Sequence, residues 1–147
     1  MFKHILVPTD GSKLSVKTAK QAVKLAKALG ARITGFYAAP DYGSTYYGDG
    51  YILRAPSASE QAEFSENQAR KYLSTIEVEA GVEKVACELF HVVSDSPYEA
   101  IIDAAKKKKC DLIFMASHGR RGLSGLVLGS ETQKVLIHSK TPVLVCR

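Results

Sequence analysis

The feature that most restricts the fold is an alternation. Short apolar runs take turns with segments whose apolar residues recur every three or four positions. Lys3-His4-Ile5-Leu6-Val7-Pro8 is apolar without a two-residue period, as in a strand buried on both faces of a parallel sheet. Thr9-Asp10-Gly11-Ser12 is a turn signal at that strand's end. Val16, Ala19, Ala22, Val23 and Ala26 then share one helical stripe, with lysines off it. Ser12 or Ser15 can cap this helix, and Gly30 ends it. Ala31 to Tyr37 reads as a second strand, so the first third of the chain is a βαβ unit with parallel pairing and a right-handed crossover.

The pattern continues after an interruption. Residues 40–57 carry four tyrosines and no period, which predicts a long flexible loop. Ser57 to Ala80 predicts a long helix, with Phe64, Tyr72, Leu73 and Ile76 along its inner stripe and Gly81 stopping it. Val85 to Val93 alternates in part, as an edge strand does. Pro97 opens another helix, whose buried stripe is Tyr98, Ile101, Ile102 and Ala105. Its last turn carries Lys106 to Lys109, where cations suit the helix dipole. Cys110 to Met115 is a fourth strand, Glu131 to His138 a short helix, and Thr141 to Cys146 a fifth strand. This order predicts an α/β fold: one domain over residues 1–147 and an open five-stranded parallel sheet with helices on both faces; a 3-2-1-4-5 strand order is the expectation for it. Ligands of such sheets bind beyond the C-terminal strand ends, where the strand order reverses. Here that is between strands 1 and 4, where Pro8-Thr9-Asp10 would face Met115 to Gly119.

Composition removes other classes. With 147 residues, 46% hydrophobic and 24% charged, the chain can bury a core without disulfides or metal. Cys87, Cys110 and Cys146 are far apart and fit neither a disulfide framework nor a zinc cage. No apolar run reaches membrane-spanning length, and the first residues lack a signal peptide's apolar core, so the expected location is the cytoplasm, with no membrane partner. The net charge of +5 is uneven: residues 1–40 carry +6, 41–100 carry −7 and 101–147 carry +6. A nucleic-acid binder would show one basic face with interleaved aromatics, so no nucleic-acid partner is expected.

The chemistry concentrates in the stretch from Ala116 to Ser130, where a strand feeds a glycine-rich loop that opens a helix. Glycines let the backbone approach a ligand, and a helix's first N–H groups attract a phosphate. Arg120 and Arg121 add charge nearby. Asp10 suits either a ribose hydroxyl or an Asx turn. His118 suits a phosphate or a loop cap, and Ser130 a helix cap, a phosphate or both.

These segments together resemble the universal stress protein family. Gly119, nine residues, then Gly129 and Ser130 match the second half of its G-x2-G-x9-G-[ST] nucleotide motif. Ile5 to Ser12 is similar to its first strand and turn, and Lys140 to Val145 to its last strand. The first motif glycine is replaced by Ala116. The resemblance implies an ATP-binding stress regulator, with magnesium accompanying the nucleotide and at most slow hydrolysis. It implies that Pro8, Thr9 and Asp10 line adenine and ribose, with Tyr37 on the adenine side. Met115, Ala116, His118 and Gly119 would hold ribose and α-phosphate, and Gly129, Ser130 and the N–H of Glu131 the terminal phosphates. It also implies a homodimer paired through Val143-Leu144-Val145. The competing readings are a slow ATPase or phosphoryl-transfer enzyme, and a dimeric interaction module without nucleotide. The absence of a Walker lysine and of an acid pair for magnesium argues against fast turnover.

Overall fold

The computed structural model describes residues 1–41, 56–120 and 128–147. The tyrosine-rich loop and Arg121 therefore lie outside the described residues. Nine elements follow in order: β1 (His4–Pro8), α1 (Lys13–Leu29), β2 (Arg32–Ala39), α2 (Ala58–Glu83), β3 (Cys87–Val93), α3 (Pro97–Lys107), β4 (Leu112–Ala116), α4 (Ser130–His138) and β5 (Val143–Cys146). The five strands form one parallel sheet in the order β3-β2-β1-β4-β5. This is the expected order, and β1 and β4 meet at its switch point.

Two apolar layers explain why the inner strands show no alternation. Ile5, Val7, Ile33, Leu112 and Phe114 face one way, into a core closed by α1 and α2. Leu6, Phe36, Ile113 and Met115 face the other way, into a core closed by α3. Every residue of β1 and β4 is buried. The inner face of α1 is small: Ser15, Thr18, Ala19, Ala22, Val23 and Ala26 are its buried residues. Short side chains of this kind let a helix lie close to a sheet. Ser12 caps α1 by accepting from the Ser15 N–H, and Gly30 ends it in the left-handed region at φ 61°.

The second helix departs from expectation at its end. Ser57 and Glu60 form a reciprocal capping box at its start. Gly81, however, does not stop it; the helix runs to Glu83 and turns out through Lys84 at φ 56°. Glycine weakens a helix interior but does not end it. The stop comes from the chain's need to enter β3, with Val85 N–H donating to the Ala80 carbonyl. Phe64 leaves the inner stripe and is 47% exposed, whereas Tyr72, Leu73 and Ile76 are buried. In α3 the fully buried positions include Ala100 and Ala104, and Ile102 is only half-buried.

Candidate functional site

The end of β1 is held by its own side chains. The Thr9 N–H continues the ladder to the Phe36 carbonyl at 2.9 Å. Its hydroxyl turns inward, accepting from the Gly11 N–H at 3.1 Å and lying 3.1 Å from Ser15 Oγ. Asp10 forms an Asx turn, one of the two roles open to it, its Oδ1 accepting from the Ser12 N–H at 3.0 Å. Its other oxygen does something the sequence did not announce. Oδ2 accepts from the Arg120 N–H at 2.7 Å and so ties the end of β1 to the loop after β4. Burial pushes the Asp10 carboxyl up, but the bonds from Ser12, Arg120 and Ser15 outweigh it and hold the carboxyl below its ordinary range. Asp10 is therefore an anion at neutral pH, held by the backbone N–H groups of Ser12 and Arg120 with the Ser12 and Ser15 hydroxyls beside them.

Glycine is required at two of these positions. Gly11 sits at φ 75°, and a Cβ there would strike the ring of Tyr72. A Cβ on Gly119 would strike Asp10 Oδ2. Gly119 thus serves the contact between the two strand ends rather than a left-handed turn.

At the end of β4, Met115, Ala116 and Ser117 are buried. Ala116 is paired in the strand opposite Cys146, outside the left-handed region. Its methyl therefore costs no backbone strain. Its carbonyl accepts from Thr132 Oγ1 at 3.0 Å, which draws the start of α4 toward β4. Ser117 N–H donates to the Cys146 carbonyl, and Ser117 Oγ lies 3.2 Å from His118 Nδ1. The Gly129 N–H donates to the Ser117 carbonyl at 2.7 Å, and a Cβ on Gly129 would lie 3.0 Å from His118 Cα. His118 and Gly129 are thereby pressed together beneath the helix start.

Gly129, not Ser130, is the N-cap of α4, and no side chain caps it. The first intrahelical bond is Gln133 N–H to the Gly129 carbonyl. The N–H groups of Ser130, Glu131 and Thr132 precede it and have no acceptor within the helix. The Glu131 carboxylate is engaged elsewhere: one oxygen accepts from the Tyr98 N–H at the start of α3, at 2.8 Å, and the other pairs with Lys134 Nζ at 2.8 Å. The helix start thus has the unpaired N–H groups that suit an anion, and it lies beside a turn that carries the ionised Asp10 carboxylate. Among the described residues no group of three or more His, Cys, Asp or Glu side chains could hold a metal ion.

The structure brings Pro8, Thr9, Asp10, Met115, Ala116, His118, Gly119, Gly129, Ser130 and Glu131 to the switch point. Tyr37 it places differently. Odd-numbered residues of β2 face the α1/α2 core, so the Tyr37 ring is 6% exposed and lies edge-on to Tyr72, with centroids 5.1 Å apart. Its neighbour Ala38 faces the opposite layer, with Met115. Arg120 also departs from expectation. Its guanidinium lies 4.5 Å from the centre of the Tyr72 ring, on α2. Three contributors went unread in the sequence: Tyr72, taken for ordinary core; Thr132, which carries no motif; and the Glu131 carboxylate, which serves a neighbouring helix. A separate groove of about 320 Å³ lies between β3 and α3, lined by none of these residues.

Comparison with known proteins agrees with this architecture. The model of the universal stress protein family matches residues 1–147. A universal stress protein of Methanocaldococcus jannaschii is 33% identical, over 100% of this chain and 83% of its own. UspA of Lactobacillus plantarum has the same fold, with a TM-score of 0.74 and 23% identity over 99% of this chain and 98% of that one. A universal stress protein solved in complex with cAMP superposes with a TM-score of 0.71 and 23% identity, over 99% and 97% of the two chains. The fold also recurs in an Archaeoglobus fulgidus protein in complex with dAMP (TM-score 0.64, 15% identical, 100% and 98% covered). An Arabidopsis thaliana protein with AMP bound shares it too (TM-score 0.65, 16% identical, 97% and 90% covered). At such identities these structures speak for the fold, while the whole-length match of the family model settles the kinship: this chain belongs to the universal stress protein family.

Proposed function

We propose that the chain binds an adenine nucleotide, ATP in the first place, across the switch point and acts as a nucleotide-dependent regulator. The observation that carries this reading is the pairing of two unlike features: the open N–H groups at the start of α4 and the ionised Asp10 at the end of β1. The first suits phosphates and the second suits ribose hydroxyls. Relatives of the same fold that hold cAMP, dAMP and AMP support the choice of adenine. Pro8, Thr9, Met115 and Ala116 would wall the sugar and base, His118 and Gly119 the α-phosphate, and Gly129, Ser130 and the Glu131 N–H the terminal phosphates. Tyr37 would act from beneath, through Tyr72. A magnesium ion would arrive on the phosphates rather than on a carboxylate cluster of the chain.

The chain's own residues bind and orient here; they offer little for turnover. Asp10 already accepts two backbone N–H groups, and Glu131 is committed to α3 and Lys134, so neither is poised as a general base. Regulation through a dimer fits the far edge of the sheet. Leu144 on β5 and Leu136 and Ile137 on α4 are exposed, and an uncovered edge strand of this kind calls for a partner. A homodimer through Val143, Leu144 and Val145 would supply one. Among the described residues no helix is long and apolar enough to cross a membrane, and action in the cytoplasm is part of the proposal.

The test is equilibrium binding of ATP, ADP, AMP and cAMP to the purified chain, with phosphate release followed in parallel. Micromolar binding of at least one adenine nucleotide with little release is the expected result. A folded, nucleotide-free chain that binds none of them overturns the reading and leaves the dimeric interaction module.

A further inference from the structure

Tyr72 stands in the middle of α2, a helix that carries none of the motif residues. Its ring nevertheless touches all three central strand ends. Gly11, after β1, packs so closely on the ring that a Cβ has no room. Tyr37, near the end of β2, meets it edge-on at 5.1 Å. Arg120, after β4, lays its guanidinium over it at 4.5 Å. The same Arg120 donates its N–H to Asp10 Oδ2, and the same Gly11 belongs to the turn that Asp10 organises. Asp10 is thus held from two sides, and both holds rest on one ring.

We infer that Tyr72 is a positioning residue of the ligand site, aiming the Asp10 carboxylate at a ribose hydroxyl by clamping Arg120 against the Gly11 turn. The inference rests on the adenine-nucleotide reading above and deepens it, because it names the part of the ligand that Tyr72 governs. The Ser12 and Arg120 N–H groups fix the plane of the carboxylate, and the Ser12 and Ser15 hydroxyls, which can rotate, lie on the side away from Arg120; a ribose hydroxyl would meet the oxygen that Arg120 holds. Without the stack on Tyr72, Arg120 loses its side-chain anchor, its N–H drifts and Asp10 turns with it. Among the described residues the ring contacts of Tyr72 fall on Gly11, Tyr37 and Arg120, whereas the phosphate end is built on Gly129 and the start of α4. A general loosening of the fold would weaken every ligand alike. Loss of this clamp weakens only ligands that carry the hydroxyl.

The experiment compares Kd for ATP with Kd for 2′-deoxy- and 3′-deoxy-ATP in the parent, Tyr72→Phe, Tyr72→Leu and Arg120→Ala. Each protein is first shown to be folded. The parent and Tyr72→Phe, which keeps the ring, should prefer ATP over at least one deoxy analogue. Tyr72→Leu and Arg120→Ala should each lose about two- to five-fold of that preference, the size of one exposed cation–π contact, and combining them should lose no more. An unchanged preference in Tyr72→Leu, or additive losses, would overturn the inference. Hydrogen exchange at the Arg120 amide, read without ligand, separates this outcome from failure of the nucleotide reading itself. Faster exchange in Tyr72→Leu but not in Tyr72→Phe supports the clamp even if no nucleotide binds; equal exchange in all three rejects it.

Discussion

The two ends of the parallel sheet are built on opposite terms. At the end where the strands begin, polar groups are closed off against one another. His4 is buried, with Nε2 2.7 Å from Thr34 Oγ1, and Thr34 donates on to Glu88 at 2.8 Å. Lys108 closes that chain from solvent by pairing with Glu88 at 3.3 Å. Asp111 accepts the N–H groups of both Lys3 and His4. Where the strands finish, the arrangement is open. Three N–H groups lead α4 without an intrahelical acceptor, and the ionised Asp10 is held by small donors at the mouth of the crevice rather than by an opposite charge. The closed end contributes stability, since a buried polar group is costly unless paired. The open end leaves that cost for a ligand to offset. One backbone pattern thus separates the part that holds the fold from the part that works.

Substitutions can break this contrast in graded steps. The largest effect belongs to Gly11→Ala at the open end. It combines a left-handed backbone with a clash against Tyr72, and we expect about 2–4 kcal/mol of lost stability in urea unfolding. A loss below about 1 kcal/mol would mean that the Tyr72 ring is not fixed there.

Asp111→Ala at the closed end strands two N–H groups and should cost about 1–3 kcal/mol, while leaving nucleotide Kd unchanged. A large change in Kd would show that the two ends are not independent.

The third step is a pH dependence. Burial first, and then Arg32, lower the pKa of His4 below 6.5, although Glu88 and Asp111 pull it up. The folded state therefore binds fewer protons than the unfolded chain between the lowered value and 6.5. This contribution is fully present above pH 6.5 and is lost as pH falls through the folded value. Unfolding free energy should thus drop on acidification from neutrality, and His4→Gln should flatten that drop. Asp10 acts only at lower pH, because its own pKa is depressed: its contribution is present above 3.8 and lost as pH falls through its folded value. The smallest effect is a gain. An added Cβ at Gly81 meets nothing within 4 Å, so Gly81→Ala should stabilise α2 by about 1 kcal/mol and raise Tm by roughly 2–4 °C, with ligand binding untouched.

What the sequence disclosed follows the same division. Local chemistry was readable: the apolar runs of β1 and β4, the Ser12 cap of α1 and the Gly30 stop each rest on residues close together in the chain. Parallel pairing followed from helices joining the strands, and the expected 3-2-1-4-5 order is the one observed. Gly81 misled because a glycine that weakens a helix resembles one that ends it; the true exit at Lys84 is set by the entry into β3. The site was legible as a set of motifs but not as a mechanism of assembly. Asp10 meets Arg120 across 110 residues, and Glu131 meets Tyr98 across 33, and no local pattern announces either bond. Tyr72 lay on an apolar stripe, and only the fold reveals what stands above its ring.

The most direct test of the central claim is calorimetric titration of the chain with ATP and magnesium, beside a Gly119→Val, Gly129→Val double variant first shown to be folded. The added side chains would strike Asp10 and crowd His118 at the two sides of the crevice. Micromolar binding in the parent that vanishes in the variant is the predicted result. Equal binding in both would place the nucleotide somewhere other than between β1 and α4, and would contradict the account.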